Sequence, residues 1–200
     1  TIAAYLAKRA GTFVGVDIDV DAVALARRRF RYPNLEFVCH ASSRLPFDDG
    51  AFDVIIVNHV YEHVRDGAAL FAEVRRLLKA GGLAYLAAAG KYQLLEPHYH
   101  LPFLSWLPRR LADLYLRIFG RPEGYDVRLI SYRRLLKMLA AFDVTEYTAR
   151  VVAAPGDFGA GDVVPAARAL QRLLATALRL LPALSPTRLF VLRRREDYGR

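Results

Sequence analysis

Five histidines, His40, His59, His63, His98 and His100, each follow the expected carboxyl end of a strand. Near neutral pH an imidazole placed there can take a proton from an oxygen or nitrogen acceptor. The densest group lies in Glu96-Pro97-His98-Tyr99-His100-Leu101-Pro102-Phe103, which is too rich in aromatics and prolines for a plain spacer. His98, Tyr99 and His100 are the candidate catalytic residues, with loop packing as the alternative use of the same side chains. His63 reads as a structural residue at a helix start. A metal centre from Glu96, His98, His100 and an earlier histidine would rest on a weak His-x-His spacing, so no metal site is expected. The second chemical feature is Asp17, in Gly15-Val16-Asp17-Ile18-Asp19. A carboxylate at a strand's carboxyl end can accept two hydrogen bonds from the ribose of a nucleoside cofactor. By itself that signal fits a dehydrogenase equally well.

These side chains need a scaffold that gathers strand ends on one rim. Residues 1–9 read as a helix stopped at Gly11, and Thr12–Ile18 as an apolar, β-branched strand. Asp19 or Asp21 caps the next helix, whose last turn carries Arg27, Arg28 and Arg29, where the helix dipole favours cations. Strands follow at Leu35–Cys39 and Phe52–Val57, the latter apolar on both faces and expected to be buried on both. Asp66 caps a helix that includes Leu77 and Leu78 and ends at Gly81-Gly82, and Leu83–Ala88 is the next strand. This alternation gives an α/β, doubly wound, largely parallel sheet.

The second half changes character. Helices are expected from Pro108 to Gly120, from Ser131 to Leu139 and from Ala166 to Leu181. Val144–Val152 reads as a strand, Ala153–Pro165 as a loop and Thr187–Arg194 as a last strand. Leu170, Leu173, Leu174, Ala177, Leu178 and Leu181 form one stripe opposite Arg168, Arg172 and Arg179. Core packing accounts for that stripe; peripheral contact with an anionic membrane is the lesser reading.

At 54% hydrophobic, 200 residues can bury one sizeable core, so 1–200 reads as a single domain. No apolar run approaches a membrane span, and the single cysteine, Cys39, excludes an internal disulfide framework. A reducing cytoplasm fits. Residues 1–100 are nearly balanced in charge, so almost all of the net +9 belongs to the second half, as an anionic partner's face or a solvated one.

The unbroken run from Phe37 to Val64, with Asp48-Asp49-Gly50-Ala51-Phe52-Asp53 and Asn58-His59-Val60-Tyr61-Glu62-His63, resembles the type 11 group of class I S-adenosylmethionine-dependent methyltransferases, which includes quinone-biosynthesis enzymes. Leu77-Leu78-Lys79-Ala80-Gly81-Gly82 is similar to the group's turn into its fifth strand, with Ala80 where proline is usual. The resemblance covers residues 1–90 well and the rest through the topology of the closing strands. It implies a Rossmann-like sheet with an antiparallel C-terminal strand, a cofactor-binding half at 1–90 and an acceptor-side half at 91–200.

It also implies S-adenosylmethionine as cofactor. Asp17 matches the ribose-binding acid and Ile18 its adenine-packing neighbour. Ala41 stands where an aspartate usually bonds the adenine amino group, with Ser42 or a backbone carbonyl as substitute. Asn58 and His59 match positions under the methionine part, and Glu62-His63 a pair on the following turn. The family's first strand and Gly-x-Gly-x-Gly loop would precede Thr1, so the chain reads as an N-terminally truncated fragment.

The acceptor reads as a small or lipid-linked molecule. Nucleic acid is disfavoured, because Asn58-His59-Val60-Tyr61 lacks the two prolines that base-amine methyltransferases use on a flipped base. A non-catalytic module that keeps the fold is the remaining alternative.

Overall fold

Asp19 stops β1 (Phe13–Asp17) from running on, because its carboxylate caps α2 (Val20–Arg29) by accepting from the amides of Asp21 and Ala22 at 2.8 and 3.1 Å. The computed structural model describes residues 2–9, 11–96, 99–121, 124–125 and 127–195. Contacts divide it into two compact units, Thr1–Pro46 and Phe47–Arg200.

In the first unit β1 pairs in parallel with β2 (Leu35–Cys39), Phe13 opposite Leu35 and Asp17 opposite Cys39. Arg27 reaches from the last turn of α2 to the Phe37 carbonyl with Nε and Nη2, at 2.9 and 2.6 Å. The helix is thereby tied to β2. α1 (Ile2–Ala7) buries Ala4 and Ala7, and the Ala7 carbonyl accepts from Asn34.

The second unit is a four-stranded sheet in the order β3-β4-β6-β5, formed by β3 (Phe52–Asn58), β4 (Leu78–Ala89), β6 (Thr187–Arg194) and β5 (Phe142–Glu146). β3 runs parallel to β4, and β6 is antiparallel to both β4 and β5. Leu78, Ala84, Leu86 and Ala88 of β4 are fully buried, packed with Phe71 and Val74 of α3 (Gly67–Leu77) and Leu135 of α5 (Tyr132–Met138). A second cluster joins Leu101 and Leu104 to Ala112 and Leu116 of α4 (Arg109–Ile118). The alternating parallel elements and the antiparallel closing strand are those expected from the sequence. Among the described residues no helix is long and apolar enough to cross a membrane.

Four expectations are corrected. The helix capped by Asp66 ends at Leu77, not at Gly81-Gly82, because Leu78 turns extended to pair with Phe52 and to bury its side chain. The register then slips by a bulge, and Gly81 supplies the left-handed φ of 71° inside it. β3 is not buried on both faces: it pairs only with β4 among the described residues, and Val54 is 58% exposed. The strand expected over Val144–Val152 stops at Glu146. There the Tyr147 amide bonds the Leu189 carbonyl, Thr148 Oγ1 accepts from the Leu189 amide, and the chain winds into α6 (Thr148–Ala153). The leucine stripe is not core either. α7 (Arg168–Leu180) contacts α6 and buries Ala175, while Leu173 and Leu180 stand 66% and 74% exposed.

β4 is followed by Gly90, whose amide donates to the Pro186 carbonyl at 2.8 Å. A Cβ built on Gly90 would lie 1.9 Å from the Ser185 carbonyl oxygen. Backbone sits on both sides of that clash, so Gly90→Ala should cost about 1–3 kcal/mol of unfolding free energy. Urea denaturation measures it, and an unchanged midpoint would show that the Ser185 turn yields freely.

Candidate functional site

The first unit carries four of the expected cofactor residues. Asp17 closes β1, and its Oδ1 accepts from the Asp19 amide at 3.1 Å. Its own carbonyl accepts from the His40 amide at 2.9 Å, so the pairing of β1 with β2 continues one step past Cys39. The carboxylate is exposed, and Oδ2 has no partner among the described residues, which leaves it open to a diol. Ile18 stands 72% exposed beside it. Ala41 and Ser42 lie in the exposed bend after β2, where the Ser42 hydroxyl accepts from the Arg44 amide and the His40 ring bonds the Arg44 carbonyl at 2.8 Å. A carboxylate with a vacant oxygen next to an exposed isoleucine suits a nucleoside, so this donor set fits the implied cofactor. Ala41 adds only a methyl group.

In the second unit β3 delivers Asn58 and His59 to the carboxyl rim. His59 adopts a left-handed φ of 53°, and its amide donates to the Ala87 carbonyl of β4 at 2.9 Å. That turn brings the chain back so that Glu62 lies under the imidazole. His59 Nδ1 bonds Glu62 Oε1 at 2.9 Å, with the Glu62 side chain 1% exposed and the His59 side chain 43% exposed. Glu62 Oε2 has no hydrogen-bond partner among the described residues. When Nδ1 carries the proton into that bond, Nε2 presents a lone pair outward, the arrangement of a general base held by a carboxylate. Asp66, not His63, caps α3, and His63 lies in the exposed turn before it.

Tyr61, between these two residues, is buried and donates its hydroxyl to the Ala89 carbonyl at 2.8 Å. Burial, then the charge of Glu62, push its hydroxyl up to about 12. Farther along the rim Tyr132 donates to Glu146 Oε2 at 2.7 Å and is also pushed up to about 12, by burial first and then by that bond.

The segment after β4 is a packed loop. Gln93 bonds the Gly90 carbonyl, Trp106 Nε1 bonds the Gln93 carbonyl, and Tyr92 and Phe103 meet the Trp106 ring edge-on. Fully buried Glu96 accepts from the Tyr99 amide through Oε2 at 2.8 Å, and its carbonyl accepts from the His100 amide. The Tyr99 hydroxyl donates to the Gly124 carbonyl and its ring packs on Tyr125. His100 is exposed on a left-handed backbone, and His98 lies outside the described residues. Reading the sequence for histidine density missed Glu62 as a partner. The signal was its i, i+3 spacing from His59, directly after a strand.

Residues 1–86 match the family model described as a methyltransferase domain. A Mycobacterium tuberculosis protein named as a phthiotriol/phenolphthiotriol dimycocerosates methyltransferase is 38% identical over 74 residues, 36% of this chain and 26% of that protein. A Mycolicibacterium smegmatis fatty-acid O-methyltransferase is 32% identical over 124 residues, 60% of this chain and 41% of its own length. The chain thus spans well under two thirds of either relative. Among solved structures, an N-methyltransferase of Haemonchus contortus with phosphomonomethylethanolamine and S-adenosylhomocysteine is 15% identical, with a TM-score of 0.57 over 97% of this chain and 46% of that one. At that identity the likeness concerns the fold: a Rossmann-like methyltransferase sheet.

The two shifted tyrosines make an alkaline test. A tyrosine of the unfolded chain ionises near 10, so between about pH 10 and 12 the folded protein keeps protons that the unfolded chain releases. The stability they contribute is whole below about pH 10 and is lost as pH rises through the folded value near 12. Urea melts across that window should show a steeper fall for the parent protein than for Tyr61→Phe. Parallel curves would mean that Tyr61 is not buried as described.

Proposed function

We propose that the protein transfers a methyl group from S-adenosylmethionine to a small-molecule or lipid-linked acceptor, a reading supported by the match of residues 1–86 to the methyltransferase domain model. When bound, that cofactor supplies an electrophilic methyl group on a sulfonium. Asp17 holds the ribose hydroxyls, Ile18 packs on the adenine, and Ala41 and Ser42 border it. Asn58 and His59 serve the methionine part. Lipid acceptors are favoured because the two relatives are named for a dimycocerosate lipid and a fatty acid.

The observation that carries the reading is the bond between His59 and buried Glu62 at the carboxyl end of β3. Glu62 orients the ring, and its burial denies water the second side of the bond. Nε2 of His59 takes the proton that an oxygen or nitrogen acceptor loses on methylation. The segment from Glu96 to Trp106 covers the acceptor: the half-exposed Phe103 and Trp106 exclude water, and the exposed His100 is its histidine on the acceptor side.

Calorimetric titration with S-adenosylmethionine should give a loss of about 1.5–3 kcal/mol for Asp17→Ala, the range for a hydrogen bond to a charged group. Undiminished affinity would remove Asp17 from the site. With a methylated acceptor in hand, His59→Ala should lower kcat by about 10²- to 10⁴-fold, the usual contribution of a positioned base. His100→Ala should reduce turnover while leaving cofactor affinity intact. Parental turnover in His59→Ala would sink the base assignment.

A further inference from the structure

A second polar site lies on the same rim, at the far edge of the sheet from His59. Tyr132, Glu146, Ala149, Arg150, Leu178, Arg179 and Pro182 line a half-open cavity of about 470 Å³, within the range of small-molecule sites. Its charges are unevenly matched. Glu146 is already occupied, accepting from the Tyr132 hydroxyl at 2.7 Å and from Thr148 Oγ1 at 3.3 Å. Arg188, fully buried behind the lining, offsets the Glu146 charge and lies over the Tyr132 ring at 5.1 Å. Its Nε and Nη2 donate to the carbonyls of Pro182 and Ala183, while Nη1 has no partner among the described residues. Arg150 and Arg179 remain, the Arg150 guanidinium lying over the Tyr147 ring at 5.1 Å. Neither has an ion-pair partner among the described residues, and both are exposed to whatever enters the cavity.

We propose that this cavity anchors the anionic end, a phosphate or carboxylate, of an amphiphilic ligand between Arg150 and Arg179. Guanidinium groups suit such oxyanions because their planar donors bond two oxygens at once. Ala149, Leu178 and Pro182 supply apolar wall for the first methylenes behind the charged group. As an acceptor anchor the site rests on the methyl-transfer reading; as a binding site it does not. The rim also limits the acceptor's shape. From His59 to Glu146 the sheet crosses three strand spacings, about 14 Å, so the anchored anion is not the atom that is methylated. The acceptor is then a long molecule with its reacting group remote from its charge.

Calorimetry on the protein with dodecyl phosphate, dodecanoate, inorganic phosphate and uncharged dodecyl maltoside, all below micelle formation, tests this. At least one charged dodecyl compound should bind saturably at one site, and the tighter of the two identifies the headgroup. Inorganic phosphate should bind more weakly by the same arginines. Arg150→Gln with Arg179→Gln should weaken the charged amphiphile at least tenfold while S-adenosylhomocysteine titrates as in the parent protein. Arg179→Glu alone should do the same if the double variant folds poorly. Equal binding of dodecyl maltoside, or affinity unchanged in both variants, would overturn the proposal. Arginine-dependent amphiphile binding by a protein that fails to bind S-adenosylhomocysteine would uphold the anion site and overturn the methyl-transfer reading alone.

Discussion

The last three residues of β4 and the glycine after them hold the rim together. A strand paired on both sides and covered on both faces must place every backbone amide and carbonyl, because none reaches water. The Ala87 carbonyl takes the His59 amide, the Ala89 carbonyl takes the Tyr61 hydroxyl, and the Gly90 amide reaches Pro186. Ala88 faces Arg188 across the ladder. His59, Tyr61 and Arg188 thus all meet one stretch of small residues. Larger side chains there would project from the two faces of the sheet into the packing that buries Ala87, Ala88 and Ala89.

Small residues on β4 also leave room for buried charge. Glu62 and Arg188 are both fully buried, and Tyr61 interacts electrostatically with each. Burying a charge costs several kcal/mol unless partners compensate it, and removing one partner is more damaging than never having had the pair. His59 serves Glu62 in that sense, and Glu146 serves Arg188. The two unfilled positions, Glu62 Oε2 and Arg188 Nη1, are where the rim holds polar capacity in reserve. Such unsatisfied groups are uncommon in folded proteins.

Much of the scaffold was legible because local signals and tertiary demands agreed. Asp19 and Asp66 cap the helices they precede, and β2 and β6 fall on the expected Leu35–Cys39 and Thr187–Arg194. Where a long-range partner overrode a local preference, the reading failed. Leu78 continues the apolar periodicity of α3, yet pairing with Phe52 draws it into β4. Val151 and Val152 favour a strand, yet the bonds from Tyr147 and Thr148 to Leu189 turn the chain into α6.

By itself, the sequence determined the order of strands and helices apart from α6, the caps, and the family signature between Phe37 and Val64, since each depends on neighbours within a few residues. It also put Asp17 and His59 at strand ends. The tertiary structure decided which polar side chains meet. Glu62 became the partner of His59 through a left-handed turn and the burial that closes over it, and periodicity encodes neither. Tyr132, Glu146, Arg150, Arg179 and Arg188 are spread over more than fifty residues and share no spacing. They converge only because β6 returns antiparallel between β4 and β5, bringing its first residues to the rim where those strands end.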